Sequence, residues 1–165
     1  MDRYILSALV QNHAGVLSRV SGLFSRRGYN IDSLTVGETQ EPGVSRMTIV
    51  VRGDEPTIEQ IQKQLEKLVE VGAVRRLDPA NAVHRELALI KIAATHQNRS
   101  DIMQIANVFR ARVVDVSHDT LTLEVTGDEG KVDGLLELLR PYGIKELART
   151  GIAALERGNS LLSLI

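Results

Sequence analysis

The sequence predicts an α+β fold made of two tandem βαββαβ units, and three observations carry that expectation. Short β-rich runs alternate with segments whose apolar residues recur at helical spacing, in the order strand, helix, strand, strand, helix, strand. The order returns in the second half, where Val125-Thr126-Gly127-Asp128-Glu129 repeats the pattern Val51-Arg52-Gly53-Asp54-Glu55. In that register Leu135 and Leu139 fall where Ile61 and Leu65 stand. The 165 residues are 43% apolar and 25% charged, which suffices for two small cores and matches an ordinary globular protein.

The first strand runs over Arg3 to Val10, an alternating and strongly apolar segment broken by Gln11-Asn12-His13-Ala14-Gly15. Val16, Leu17, Val20, Leu23 and Phe24 then form one apolar helical face, and Gly28 stands where a C-cap glycine stops a helix. Strands two and three follow over Ile31 to Val36 and Ser45 to Arg52, separated by the polar stretch Gly37 to Gly43. Ile58, Ile61, Leu65 and Leu68 mark the second helix, with Thr57 as its N-cap, and Ala73 to Leu77 closes the unit. The second unit has a strand at Leu87 to Ala94 and a helix around Ile102, Ile105, Ala106 and Phe109. Strands at Val113 to Val116 and Leu121 to Thr126 come next, then a helix ended by Pro141 and Gly143, and a last strand at Ile144 to Ala148.

This order is ferredoxin-like, with two helices on one face of a four-stranded antiparallel sheet. The boundary falls near Asp78 to Arg85, giving one domain over residues 1–79 and a second over residues 84–160. The first strand is apolar on both faces, Ile5 and Leu9 on one and Leu6 and Val10 on the other. Helices cover one face only, so the second face or its edge calls for another module or subunit, and a homodimer is expected.

A net charge of -1 excludes the global basic field that holds phosphate backbones or anionic membranes, so neither nucleic acid nor a membrane surface is an expected partner. The pairs Arg26-Arg27 and Arg75-Arg76 fall at element ends and read as solvated termini. There is no cysteine, hence no disulfide and no thiolate metal site. The N-terminal residues run straight into the first strand without an apolar signal segment, and a cytoplasmic location is expected. His13, His84, His96 and His118 are scattered among expected loops and strand ends without metal-ligand spacing. Nucleophile-elbow, phosphate-loop and dinucleotide motifs are absent from the sequence. Asp54-Glu55 and Asp128-Glu129 each precede a helix, where acids favour the positive end of the dipole, so they read as capping groups rather than catalytic pairs.

One loop has a physical case for ligand binding: Asn12-His13-Ala14-Gly15-Val16-Leu17, which joins strand one to helix one. Unpaired N–H groups at a helix start attract anions, carboxylates included. Gly15 allows close approach to the backbone, and the Asn12 side-chain oxygen is an acceptor for an α-ammonium group. Together they suit a zwitterion. A purely structural reading stands beside this one, with Asn12 ending the strand or capping the helix and Gly15 relieving a tight turn. Asn30, after Gly28-Tyr29, has the same ambiguity. Asn12 and Asn30 start at opposite ends of one ferredoxin-like unit, so a site using both requires two chains.

These residues carry a resemblance over nearly the whole chain. Gly15-Val16-Leu17-Ser18-Arg19-Val20 after Asn12, then Gly22-Leu23-Phe24-Ser25-Arg26-Arg27-Gly28-Tyr29-Asn30-Ile31 and Ser33-Leu34-Thr35-Val36, resemble the small regulatory subunits of acetohydroxyacid (acetolactate) synthase. Ser45-Arg46-Met47-Thr48-Ile49, Leu65-Glu66-Lys67-Leu68-Val69, Arg149-Thr150-Gly151 and Arg157-Gly158 extend the resemblance. It implies an N-terminal ACT domain, for effector binding and dimerisation, and a C-terminal ACT-like domain. It also implies an effector, valine or a related branched-chain amino acid, held between the ACT domains of two chains. Asn12, Gly15, Val16 and Leu17, with His13 and Ala14 in the same loop, would come from one chain, and Asn30 and Ile31 from the other. The implied partner is a separate catalytic large subunit, which carries the thiamine diphosphate, magnesium and FAD; no cofactor, metal or catalytic residue is expected on this chain.

Two other functions share the layout. RNA-recognition domains stack bases on aromatics of their central strands. This chain has only three tyrosines and two phenylalanines, none of them in Ser45 to Val51. A small acylphosphatase needs a basic residue in its first loop, and no arginine or lysine lies between Tyr4 and Ser18. An amino-acid-sensing ACT protein serving another partner is the remaining alternative.

Overall fold

The computed structural model describes residues 2–164; Met1, where the expected first domain begins, and Ile165 lie outside the described residues. The chain divides into two compact units, one comprising the described residues up to His84 together with those from Ile152 onward, the other Arg85–Gly151.

In the first unit the order is β1 (Asp2–Gln11), α1 (Val16–Arg27), β2 (Ile31–Glu38), β3 (Val44–Gly53), α2 (Glu55–Glu66) and β4 (Val71–Leu77). The strands pair antiparallel in the order β2-β3-β1-β4, which is the arrangement expected of a βαββαβ unit. Alternation sets the faces: Leu6, Ala8 and Val10 of β1 meet Met47, Ile49 and Val51 of β3 under Val20 and Phe24 of α1 and Ile58, Ile61 and Leu65 of α2. Helix α1 stops at Gly28, whose φ of 69° admits the left-handed closure, while the Tyr29 N–H donates to the Phe24 carbonyl at 3.0 Å. Leu17 departs from the expected apolar face and is 48% exposed, because the buried stripe is carried by Val16, Val20, Leu23 and Phe24. The N-cap of α2 is Asp54 rather than Thr57: Asp54 Oδ1 accepts the Thr57 N–H at 3.0 Å.

The second unit repeats the plan with β5 (Ala82–Ala93), α3 (Arg99–Val108), β6 (Arg112–Val116), β7 (Thr120–Gly127), α4 (Glu129–Leu139) and β8 (Ile144–Arg149), its strands ordered β6-β7-β5-β8. Ile90, Ile92, Leu121, Leu123, Ile102 and Leu135 are fully buried in its core. The sequence repeat has a structural basis, since Asp128 Oδ1 accepts the Lys131 N–H at 2.9 Å just as Asp54 accepts that of Thr57. Both acidic pairs therefore supply helix caps.

A further strand, β9 (Ala153–Glu156), pairs with β5 and was not foreseen; its four residues are too few for a periodic signal. The segment from Ile152, within the expected second domain over residues 84–160, packs with the first unit. Ile152 and Ala154 join Ile5, Val50, Leu77 and Ala82 in a separate buried cluster. Part of the second face of the first sheet is thus covered by the same chain. The pair Arg75-Arg76 is not a free terminus either. Arg75 Nη1 donates to Glu156 Oε2 at 2.5 Å, and Arg76 is paired with Glu55 and stacks 4.3 Å from the centre of the Tyr4 ring.

Ile61 is fully buried and made entirely of transferable apolar atoms, so Ile61→Ala is expected to cost about 2–5 kcal/mol in urea unfolding. Stability also depends on acid. Hydrogen bonds from Thr57, first its side chain and then its N–H, hold the Asp54 carboxyl below its ordinary 3.8, and the Arg76 hydrogen bond holds Glu55 below its ordinary 4.5. Carboxyls depressed in the folded state stabilise it above their unfolded values and lose that contribution as pH falls through the folded ones. The unfolding midpoint should therefore be flat from about pH 7 to about pH 5 and fall below about pH 4, with a shallower fall in Asp54→Asn.

Candidate functional site

The loop between β1 and α1 is held from beneath by the β2–β3 hairpin. The Asn12 N–H donates to the Gly43 carbonyl at 2.9 Å, and Asn12 Nδ2 donates to Glu38 Oε1 at 3.0 Å. The side chain is thereby turned so that its amide nitrogen is engaged by the protein and its oxygen remains the acceptor for a ligand. Glu38 adds a carboxylate beside that oxygen, which favours a cation there. Glu38 and Gly43 were not among the sequence candidates, since nothing in a hairpin loop's composition reveals what its ends will touch.

Gly15 closes the loop as the N-cap of α1 at φ 91°, and no side chain caps the helix. The first N–H groups of α1 therefore have no side-chain acceptor at the cap, and a Cβ on Gly15 would meet no heavy atom within 4 Å. The opening is backbone-lined and faces outward, with Leu17 exposed at its edge and Val16 buried behind it. His13 is turned aside, its Nε2 at 2.8 Å from Gln11 Oε1 and its Nδ1 at 3.0 Å from the Ala14 carbonyl oxygen. A carboxylate at the helix start and an ammonium near Asn12 Oδ1 and Glu38 is the zwitterion arrangement the loop's chemistry accommodates. The matching turn of the second unit differs, because Asn98 caps α3 without a glycine and its Oδ1 accepts the Thr95 N–H at 2.7 Å.

Asn30 and Ile31 stand elsewhere. Ile31 pairs with Val51, which in turn pairs with Tyr4, so the start of β2 lies level with the first residues of β1. Asn12 follows Gln11 at the other end. About eight residues of strand at ~3.3 Å each separate the two asparagines by roughly 26 Å along the sheet. Asn30 is exposed, and the chain before it is anchored by the Tyr29 ring, edge-on to Phe24 at 6.3 Å, and by its hydroxyl donating to Gln60 Oε1 at 3.1 Å. The chain brings Asn12 to Glu38, but not Asn12 to Asn30.

Comparison with known proteins accounts for both units. Residues 6–73 match the family described as AHAS small subunit-like ACT domain, and residues 85–158 match the family described as small subunit of acetolactate synthase. The probable acetolactate synthase small subunit of Methanothermobacter thermautotrophicus is 57% identical over 159 residues, covering 96% of this chain and 95% of that protein. The chain belongs to the acetolactate synthase small-subunit family. The Aquifex aeolicus member is 49% identical over 96% of this chain and 83% of its own length. In three dimensions, the crystal structure of the Thermotoga maritima small subunit superposes with a TM-score of 0.90 at 45% identity, covering 97% of this chain and all of that one. Like that structure, this family member has the two-unit ACT-like fold. Among the described residues, no group of three or more His, Cys, Asp and Glu side chains is placed to hold a metal ion, and no helix is long and apolar enough to cross a membrane.

Gly15 separates a conformational from a steric requirement. Gly15→Ala should destabilise by about 1–2 kcal/mol, because a side chain is strained at this φ although space is open, and Gly15→Asn should cost less. Urea titration of the two variants checks the order; equal costs would remove the backbone argument.

Proposed function

We propose that this chain is the non-catalytic regulatory subunit of an acetolactate synthase. In this reading it raises the activity of a separate catalytic large subunit and confers feedback inhibition by valine or a related branched-chain amino acid. Relatedness along nearly the whole chain to proteins named as acetolactate synthase small subunits supports the assignment. Thiamine diphosphate, magnesium and FAD then belong to the large subunit, which condenses pyruvate with a second 2-oxo acid, and the complex works in the cytoplasm.

The single observation that carries the effector reading is the uncapped, glycine-gated start of α1 facing outward beside Asn12 and Glu38. The carboxylate of the amino acid lies on the first N–H groups of α1, its ammonium group on Asn12 Oδ1, and its branched side chain against Leu17 of that chain and Ile31 of its partner. The roughly 26 Å between Asn12 and Asn30 within one protomer favours an ACT-domain homodimer in which each of two sites takes its halves from different chains. Effector binding then biases how the two chains meet, and that change alters the grip on the large subunit. A coupling of about 1–3 kcal/mol corresponds to a five- to 150-fold change in affinity.

Calorimetric titration with L-valine, D-valine and L-leucine tests the site. L-Valine should bind selectively, and Asn12→Ala should lose both that binding and valine inhibition of the reconstituted enzyme while activation persists. Unchanged valine binding in Asn12→Ala would refute the placement.

A further inference from the structure

On the face of the first sheet away from its helices, a cavity of about 660 Å³ lies between the strands and the chain's own C-terminal tail. Its floor is Leu9 and Leu77 with the Arg46 side chain, one wall is the hairpin loop from Thr39 to Val44, and the cover is Leu155 with the residues from Ser160 to Leu164. It shares no residue with the Asn12–Leu17 loop. The cover is fastened: Arg75 Nη1 donates to Ser160 Oγ at 3.2 Å, Ser160 Oγ donates to Glu156 Oε2 at 2.8 Å, and Leu164 sits where a Cβ on Gly72 would collide with its Cδ2.

The cavity carries an electrostatic imbalance. Arg46 is the single cation among its described lining residues, and it is half-buried. It meets a neutral hydroxyl, Arg46 Nη1 donating to Ser7 Oγ at 2.6 Å, and burial pushes its guanidinium pKa down. Of the two carboxylates in the lining, Glu156 is paired with Arg75 and Glu41 is exposed in the hairpin loop. A guanidinium fork offers several donors, and a hydroxyl satisfies only one. Six leucines and Val44 supply the apolar part of the lining, beside the polar Thr39, Gln40, Ser160 and Ser163. Ligand sites of this kind combine an apolar lining with one or two charged groups that fix orientation.

We propose that this cavity is a second ligand site, which takes a small amphiphilic monocarboxylate with its carboxylate on Arg46 and its branched apolar body against Leu9, Leu77 and the leucines of the tail. A carboxylate suits one guanidinium fork in a bidentate manner, whereas a phosphate dianion would find no second cation among the described lining residues. No ammonium group is required, which separates this site from one that reads amino acids. A ligand here would rest on the β2–β3 hairpin, whose Glu38 at the end of β2 and Gly43 in the loop hold Asn12, so occupancy of one site bears on the geometry of the other.

The test uses the full chain and 4-methylpentanoate as probe, with 4-methylpentanamide and inorganic phosphate as controls, followed by calorimetry and by methyl chemical shifts. The acid should bind saturably, with shifts at Leu9, Leu77 and Leu162, and the amide and phosphate should not. Arg46→Gln, which retains a donor toward Ser7, should weaken binding by about tenfold or more. Leu162→Asp, at a half-buried tail position outside both cores, should abolish it while leaving the unfolding midpoint unchanged. Asn12→Ala should leave it intact, so that failure of the amino-acid site and failure of this one are read separately. No saturable binding up to about 10 mM, or binding indifferent to both Arg46→Gln and Leu162→Asp, would overturn the proposal.

Discussion

The antiparallel pairing of β1 with β3 on one side and β4 on the other constrains everything else in the first unit. That register makes β1 a central strand, buried from Tyr4 to Val10, and fixes which end of the sheet each loop occupies. A one-residue slip would turn Leu6, Ala8 and Val10 from the helices to the opposite face, so burial on both sides specifies the register strongly. Because β1 and β2 both pair antiparallel with β3, they run in the same direction. The loop after β1 and the start of β2 must then lie at opposite ends. A site that used residues from both ends would therefore need two chains.

The two units show how a common plan supports one specialised end. Both use an aspartate cap at the start of their second helices, and both bury an isoleucine- and leucine-rich core beneath two helices. They differ at the turn into the first helix of each. In the first unit Gly15 leaves the helix start open and the hairpin positions Asn12 from below. In the second, Asn98 and Thr95 satisfy one another, Asn98 Oδ1 accepting from the Thr95 N–H and the Asn98 N–H donating to Thr95 Oγ1 at 3.3 Å. A turn whose polar groups are spent on itself offers little to a ligand, which places the effector proposal on the first unit alone.

What could be read in advance followed from periodic and local signals. Every strand and helix of both βαββαβ units was legible because alternation, helical spacing and the stop at Gly28 are properties of neighbouring residues. So was the opposition of Asn12 and Asn30, which follows from topology alone. The contacts that shape the loop were not legible. Glu38 meets Asn12 across 26 positions of sequence, and Arg75 meets Glu156 across 81, distances over which composition carries no information. Leu17 was placed in the core because apolar identity alone does not separate a buried stripe from an exposed neighbour. The return of the C-terminal segment to the first unit escaped for the same reason, since β9 is short and its partners lie far back in the chain.

The central claim, that two chains build each effector site, is tested most directly by subunit complementation. Chains carrying Asn12→Ala and chains carrying Asn30→Ala, each unable to bind L-valine alone, are mixed and re-equilibrated, and valine binding is titrated. Because one site of the mixed dimer would receive both asparagines intact and the other neither, the account predicts recovery of one native-affinity site per mixed dimer. Mixed dimers that form but recover no binding, or an Asn30→Ala chain that binds valine normally by itself, would contradict it.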